Sequence, residues 1–152
     1  MIQRIQSLFL LLVTALMVVL WLKPIGIFVG NFGIYQYALL QVSNCHPFLG
    51  IHFPLWIPTV LTVLTALISL VTLFLFKKRK LQVLMSIIGI ALMVLFYCAI
   101  LAYIFISNGH MNSVFHASYI MSLPGISMAM FLLAIIFIKK DEKLVKSTGR
   151  IR

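Results

Sequence analysis

Charge is scarce in this sequence, and acidic charge is almost absent. Only 9% of the 152 residues are Asp, Glu, Lys or Arg, and two residues are acidic. Hydrophobic residues make up 63% of the chain, whereas a soluble domain has roughly 25% charged and about 45–50% apolar residues. A water-soluble globule of this size cannot bury so much apolar surface, and a disordered chain contains little of it. The composition therefore predicts an integral membrane protein.

Cysteine and glycine are also too few for two other classes of protein. Two Cys exclude a disulfide-rich scaffold, and eight Gly exclude a collagen-like chain. Cys45 and Cys98 lie far apart, so the C-x-x-C pair typical of thiol redox chemistry is missing. The formal charge of +10 is compatible with nucleic-acid binding, but that function needs an exposed basic domain. No stretch of that size is present, and we expect no nucleic-acid partner.

Four apolar runs contain most of the hydrophobic residues, and none has a charged residue in its interior. A spanning helix needs about 20 residues, with a range of about 17–25. The first run, residues 7–22, is slightly short and reaches this length if Ile2 or Ile5 joins it and Lys23 extends its ammonium group to the interface. No small-x-small cleavage site follows it, so it is interpreted as a retained helix and not as a signal peptide. The sequence predicts transmembrane helices at about residues 5–23, 55–76, 81–106 and 119–138.

The positions of Lys and Arg predict how these helices are oriented. With a cytoplasmic N-terminus, both acidic residues and every basic residue except Lys23 fall on the inner side. An excess of Lys and Arg is typical of cytoplasmic loops. We therefore predict that both termini are cytoplasmic and that residues 139–152 form a basic cytoplasmic tail.

The basic residues at the predicted inner face also indicate lipid as a partner. Each Lys or Arg near an anionic bilayer surface contributes about 1 kcal/mol of attraction. Asp141 and Glu142 could pair with Arg4 or with residues 77–80, although surface ion pairs contribute only about 0–1 kcal/mol. The predicted contacts with anionic headgroups are Lys77, Lys78, Arg79, Lys80, Lys139 and Lys140.

The predicted outer side holds two connections that differ in length. Residues 25–29 and 34–42 are strand-like and flank Gly30-Asn31-Phe32-Gly33, a pattern that predicts a β-hairpin. Residues 24–54 carry no charge, so we expect this segment to pack on the helix ends or lie at the lipid interface. Residues 107–118 are predicted to be a polar loop. The predicted fold is a single domain, 1–152: an all-α four-transmembrane-helix bundle with a small outer β-hairpin between helices 1 and 2.

Helix 2 carries hydroxyl side chains at spacings of three and four residues, which places them on one face. Small hydroxylated residues let membrane helices approach and form hydrogen bonds, so this face is predicted to pack against other helices. A polar groove for a substrate is the alternative. Gly125 and Ala129 predict a similar packing face on helix 4, and Ser86 and Gly89 predict one on helix 3. Pro124 either kinks helix 4 or marks its start. The hydroxyl row consists of Thr59, Thr62, Thr65, Ser69 and Thr72.

All four histidines and one cysteine fall on the predicted outer side. Imidazole and thiolate groups are good ligands for zinc and copper, so a metal site there is a hypothesis. The six-residue spacing between the histidines of each loop matches no tight ligand motif, and no outer carboxylate is present to orient the imidazoles. We therefore expect no metal or cofactor. The candidates for the metal site are Cys45, His46, His52, His110 and His116.

The two ends of the chain resemble a family of membrane proteins. Residues 1–8 read MIQRIQSL, residues 140–147 read KDEKLVKS, and residues 150–152 read RIR. These motifs resemble the domain-of-unknown-function family 4293 of small four-helix membrane proteins from Bacteroidota, and the resemblance covers essentially the whole chain. Gly149 departs from the acidic residue that family tails often have there. The resemblance implies a bacterial inner-membrane location but no activity, cofactor or catalytic residue.

The sequence limits the function more than it defines it. No charge lies inside the apolar runs, although proton-coupled transporters and pumps normally need one there. We therefore predict a non-enzymatic accessory, assembly or scaffolding subunit, with the lipid bilayer and another membrane protein as partners. One alternative is a small transporter or channel for a neutral or lipidic molecule that uses the hydroxyl face of helix 2. Another is a membrane protein that binds a metal or cofactor at its outer face.

Overall fold

A computed structural model describes residues 2–30, 33–37, 39, 56–75, 78–111 and 114–148 of the chain. The described part is mostly helical, with three short strands and one 3₁₀ helix. In chain order the elements are α1 (Ile2–Leu22), β1 (Gly26–Gly30), β2 (Gly33–Tyr37), α2 (Trp56–Phe74), α3 (Arg79–Met111), β3 (Val114–Ala117), the 3₁₀ helix (Tyr119–Ser122) and α4 (Leu123–Thr148).

The four helices pack as antiparallel neighbours in a closed order. α1 contacts α2 and α4, and α3 also contacts α2 and α4. The connection between α2 and α3 is short, which forces these helices into a hairpin. We call the end of the bundle that holds this connection the α2–α3 end, and the opposite end, where the strands lie, the sheet end.

Three helices are long and apolar enough to cross a membrane: Trp56–Phe74, Arg79–Phe105 and Tyr119–Asp141. The apolar part of α1 is shorter and runs over Ser7–Leu22. The predicted boundaries of the first two helices lie close to the observed ones. The composition thus anticipates apolar helices compatible with a membrane protein.

Two helices continue beyond the apolar spans predicted for them, 81–106 and 119–138. α3 extends to Met111 and not to 106, so part of the predicted polar loop 107–118 is helical. α4 extends to Thr148, so most of the predicted tail 139–152 is helical as well. The extension of α4 contains Lys, Glu and Leu, which favour a helix. The extension of α3 contains Ser and Asn, each of which costs a helix only about 0.5 kcal/mol.

The predicted hairpin is present, but it belongs to a larger sheet. β1 pairs with β2 and with β3, both antiparallel, giving the order β2-β1-β3. The backbone N–H of Ser118 donates to the Ile25 carbonyl at 2.9 Å and extends this pairing. The third strand, Val114–Ala117, lies within the predicted loop 107–118, of which residues 112 and 113 are outside the described part of the chain. β2 is described over Gly33–Tyr37, and residues 38 and 40–42 of the predicted second strand lie outside the described residues, as do Asn31 and Phe32 of the predicted turn.

Among the described side chains, Phe115 of β3 and Ile25, just before β1, pack against the helices at the sheet end. The ring of Phe115 lies so close over Gly26 that a Cβ there would overlap it. Phe115 and Ile25 belong to the core at the sheet end, which also includes Met17, Leu20, Leu39, Met93, Phe96, Ile100 and Ile120. A second cluster lies toward the α2–α3 end and contains Leu10, Val13, Phe131 and Ala134.

Candidate functional site

The hydroxyl row of α2 points into the bundle. Thr62, Thr65, Ser69 and Thr72 are at most 1% exposed, and Thr59 is half-buried. Residues three and four apart lie on one face of a helix, so the row runs along the interior. A buried hydroxyl costs free energy unless it is hydrogen-bonded. The partners of these groups therefore determine what the row can do.

Three hydroxyls of the row donate to carbonyl groups of α2 itself. Thr65 donates to the Leu61 carbonyl at 2.8 Å, and Thr72 donates to the Ile68 carbonyl at 2.6 Å. Thr62 donates within the first turns of the helix, at 2.8 Å to the carbonyl of Thr59. These bonds satisfy the hydroxyl protons without presenting them to a ligand.

Two further bonds join the row to α1. Ser69 donates to the Leu10 carbonyl of α1 at 2.9 Å, and both groups are buried. The indole Nε1 of Trp21 donates to Thr62 Oγ1 at 3.2 Å. Since one bond lies near the middle of α1 and the other near its C-terminal end, together they fix its position along α2. At the sheet end, Thr59 also donates to the Leu39 carbonyl at 3.3 Å.

The interior faces of α3 and α4 contain few polar groups. Ser86 donates to the Gln82 carbonyl and Ser127 to the Leu123 carbonyl, each at 2.9 Å. The amide of Gln82, 4% exposed, completes the buried polar groups of these two faces. Among the described residues, no buried side chain carries a charge.

The small residues of α4 are not on the most buried side of the helix. Gly125 and Ala129 are exposed in the single chain, although Gly125 approaches Tyr97 of α3, and the buried residues nearby are Ser127 and Phe131. The small residue at this contact is Gly89 of α3, because a Cβ there would lie 2.7 Å from Phe131 Cζ. A large side chain of α4 thus fills the space that a glycine leaves on α3.

Pro124 lies at the start of α4 and does not kink the middle of the helix, so the second of the two predicted alternatives is correct. It follows the first residue of the helix, where its missing N–H is not needed.

The Tyr97 hydroxyl of α3 donates to the Met121 carbonyl at 2.9 Å and has a backbone hydrogen bond with Gly125. Tyr97 therefore joins the 3₁₀ helix to the first turn of α4. A Cβ on Gly125 would lie 3.2 Å from this hydroxyl.

The predicted metal ligands are only partly described. Cys45, His46 and His52 lie outside the described residues, and His110 is in the last turn of α3. His116 is exposed on β3, opposite Ile27 of β1. Within the described ranges, no group of three His, Cys, Asp or Glu residues could hold a metal ion.

At the α2–α3 end, an ion pair joins α3 to α4. Arg79 Nη2 lies 3.1 Å from Asp141 Oδ2, with side chains 25% and 16% exposed. Of the partners considered for Asp141, the structure selects the 77–80 cluster. Lys78, Lys80, Lys139 and Lys140 are exposed, and Lys77 lies outside the described residues.

Sequence reasoning missed two polar links of the bundle, those of Trp21 and Tyr97. Both side chains bury an apolar ring and carry a polar group that needs a partner. That requirement is a usable signal for a bond, but it does not name the partner. Trp21 reaches a residue 41 positions away along the chain, and Tyr97 one 24 positions away.

The comparison with family models gives one match, which covers nearly the whole chain. The model described as Domain of unknown function (DUF4293) matches residues 2–151. The comparisons with curated proteins and with solved structures found no match. The matching description states no activity, so it leaves the chemistry of the bundle to be inferred from its residues.

Proposed function

Because the chain belongs to the DUF4293 family, whose description names no activity, we propose a function from the arrangement of its residues. We propose that it is a non-enzymatic accessory, assembly or scaffolding subunit of the bacterial inner membrane that associates with another membrane protein. The observation that carries this proposal is the use of the α2 hydroxyl row. Its protons are donated to backbone carbonyls of the same chain.

A transport path for a polar neutral molecule would need interior groups that can exchange hydrogen bonds with it. In this bundle the buried Ser and Thr protons already have acceptors, and the fully buried rings of Phe96 and Phe131 fill the two hydrophobic clusters of the interior. The bonds from Ser69 and Trp21 hold α1 against α2. This arrangement supports a packed scaffold over a transporter, which remains the alternative function.

We further propose that all four helices span the membrane, with both termini in the cytoplasm. α1 has 21 residues, which corresponds to about 31 Å at a rise of 1.5 Å per residue. This length matches a hydrocarbon core about 30 Å thick, although the apolar part of α1 is shorter. The basic residues at the α2–α3 end support placing that end in the cytoplasm.

Co-purification tests the proposed role. The full chain is tagged, expressed at native level, extracted in a mild detergent and analysed by quantitative mass spectrometry. We expect one membrane protein to be enriched in a fixed ratio to the chain. An unrelated tagged four-helix membrane protein, purified in the same way, is the control for non-specific capture.

A second measurement separates the scaffold from the transporter. The purified chain is reconstituted in vesicles, and uptake of neutral solutes is compared between the wild type and Thr65→Val. We expect no uptake above empty vesicles for either protein. Saturable uptake that Thr65→Val abolishes, together with no enriched partner, would overturn the proposed role in favour of transport.

A further inference from the structure

We propose that the α2–α3 end of the bundle binds one anionic phospholipid, with its phosphate held between the start of α3 and residues 139–141 of α4. This proposal does not depend on the accessory role. It also differs from the expectation that Arg79 is one of six headgroup contacts, because in the structure Arg79 pairs with Asp141.

The ion pair brings two basic segments together that are distant in sequence. Arg79 is the first residue of α3, and Asp141 lies in α4 directly after two lysines. Since Arg79 Nη2 is 3.1 Å from Asp141 Oδ2, the start of α3 is in contact with α4 at Asp141, and the basic residues 78, 80, 139 and 140 lie within one helical turn of this contact along their own segments. The sequence alone gave two separate clusters.

Arg79 and Asp141 neutralise each other, which leaves the lysines to hold an anion. Lys78, Lys80 and the pair 139–140 are exposed, and within the described part of the chain none of these four forms an ion pair. Lysine ammonium groups bind phosphate as point charges. The first backbone N–H groups of α3 add partial positive charge at the same place, because the earliest bond to this helix runs from the Gln82 N–H to the Lys78 carbonyl.

The surroundings favour a lipid over a free phosphate ion. Immediately beyond the lysines, α3 exposes Leu81 and Leu84, which are 38% and 50% exposed, and α4 exposes Ile136. Such side chains offer an apolar surface to acyl chains next to the charged groups. A ligand with a phosphate and two acyl chains can use both surfaces at once, whereas inorganic phosphate can use only one.

Native mass spectrometry of the delipidated full chain in detergent tests the site. We expect one phosphatidylglycerol to bind saturably and phosphatidylcholine to bind only weakly. Each lysine removed should weaken binding by roughly fivefold, so Lys80→Gln with Lys139→Gln should weaken it by about thirtyfold. Lys23→Gln is the matched control, because it removes an exposed positive charge at the opposite end and should leave the affinity unchanged.

Two outcomes of this titration would overturn the site. One is equal binding of the two lipids. The other is an equal loss of affinity in Lys23→Gln and Lys80→Gln, which would indicate attraction to the net charge alone. Displacement of the lipid by millimolar inorganic phosphate would overturn the commitment to a lipid, because the ion would then use the lysines by itself.

The positioning role of Arg79 is tested at constant net charge. The pair Arg79→Gln with Asp141→Asn removes the ion pair without changing the total charge, and we expect it to weaken lipid binding several-fold. The swap of Arg79→Asp with Asp141→Arg restores an ion pair and should recover the wild-type affinity. Unchanged binding in the neutral pair would refute the positioning role.

Discussion

At Gly89, the packing of α3 against α4 depends on the absence of a side chain. A Cβ there would lie 2.7, 2.9 and 3.1 Å from three ring atoms of Phe131, whose side chain is fully buried. In a helix exposed to water, Gly→Ala stabilises by about 1 kcal/mol. We predict the opposite sign for Gly89→Ala, a loss of about 1–3 kcal/mol from overpacking, measured as the free energy of unfolding of the detergent-solubilised protein.

A compensating substitution tests the cause of that loss. Phe131→Leu removes the ring edge that the new methyl group meets, so Gly89→Ala should destabilise the Phe131→Leu background less than it destabilises the wild type. A Gly89→Ala protein as stable as the wild type would show that the ring moves away without cost.

At the scale of the element, the start of α4 depends on a residue of another helix. The Tyr97 hydroxyl bonds to the Met121 carbonyl and to the backbone of Gly125, which lie on either side of the junction between the 3₁₀ helix and α4. We predict that Tyr97→Phe lowers stability by about 1 kcal/mol, the net contribution of a typical hydrogen bond. Faster amide exchange across residues 121–127 is the more specific readout.

Ser122→Ala is the control for this local effect. Ser122 lies at the same junction, but its exposed hydroxyl donates only to the nearby Tyr119 carbonyl at 2.6 Å. Its loss should leave exchange across 121–127 nearly unchanged. Equal effects of the two substitutions would mean that the junction does not depend on the contact with α3.

The helices were predictable where hydrophobicity alone determines their extent. Long apolar runs, ended by basic residues, predicted α1 and α2 close to their observed bounds. The ends of α3 and α4 were not predictable, because Ser107 and Gly109 resemble a loop and the charged residues after Ile138 resemble a tail. β3 was missed because its four residues pair with a strand from a distant part of the chain, and no local pattern encodes that partner.

The candidate site was also predictable only in part. The spacing of the α2 row determines a face, and burial places that face inside. Spacing could not tell which side of α4 faces inward, because Gly125 and Phe131 both lie on apolar sides of the helix. The sequence also could not identify the partner of Asp141. Arg4 and residues 77–80 are all predicted at the same end of the helices, and only the packing of the helices decides which of them Asp141 meets.

At the scale of the whole molecule, orientation in the membrane is testable with single cysteines. In a background with Cys45→Ser and Cys98→Ser, we introduce Lys23→Cys or Lys140→Cys, since both lysines are exposed and lie at opposite ends of the bundle. A membrane-impermeant maleimide applied to spheroplasts should label only the Lys23→Cys protein, because the excess of basic residues keeps the other end inside.

Permeabilised cells provide the control, because both cysteines should then react to a similar extent. Labelling of the Lys140→Cys protein in intact spheroplasts would contradict cytoplasmic termini. Labelling of neither protein before permeabilisation would contradict an odd number of spans between these positions.

The strand β3 also constrains the order in which the protein can be made. β1, complete at Gly30, pairs with Val114–Ala117, which leave the ribosome only after α2 and α3 have been synthesised. Until then one edge of β1 has no partner, and the Phe115 ring that covers Gly26 is missing. The sheet can therefore close only after the α2–α3 hairpin has been synthesised, so a protease that cleaves the unpaired strand would distinguish nascent chains from finished ones.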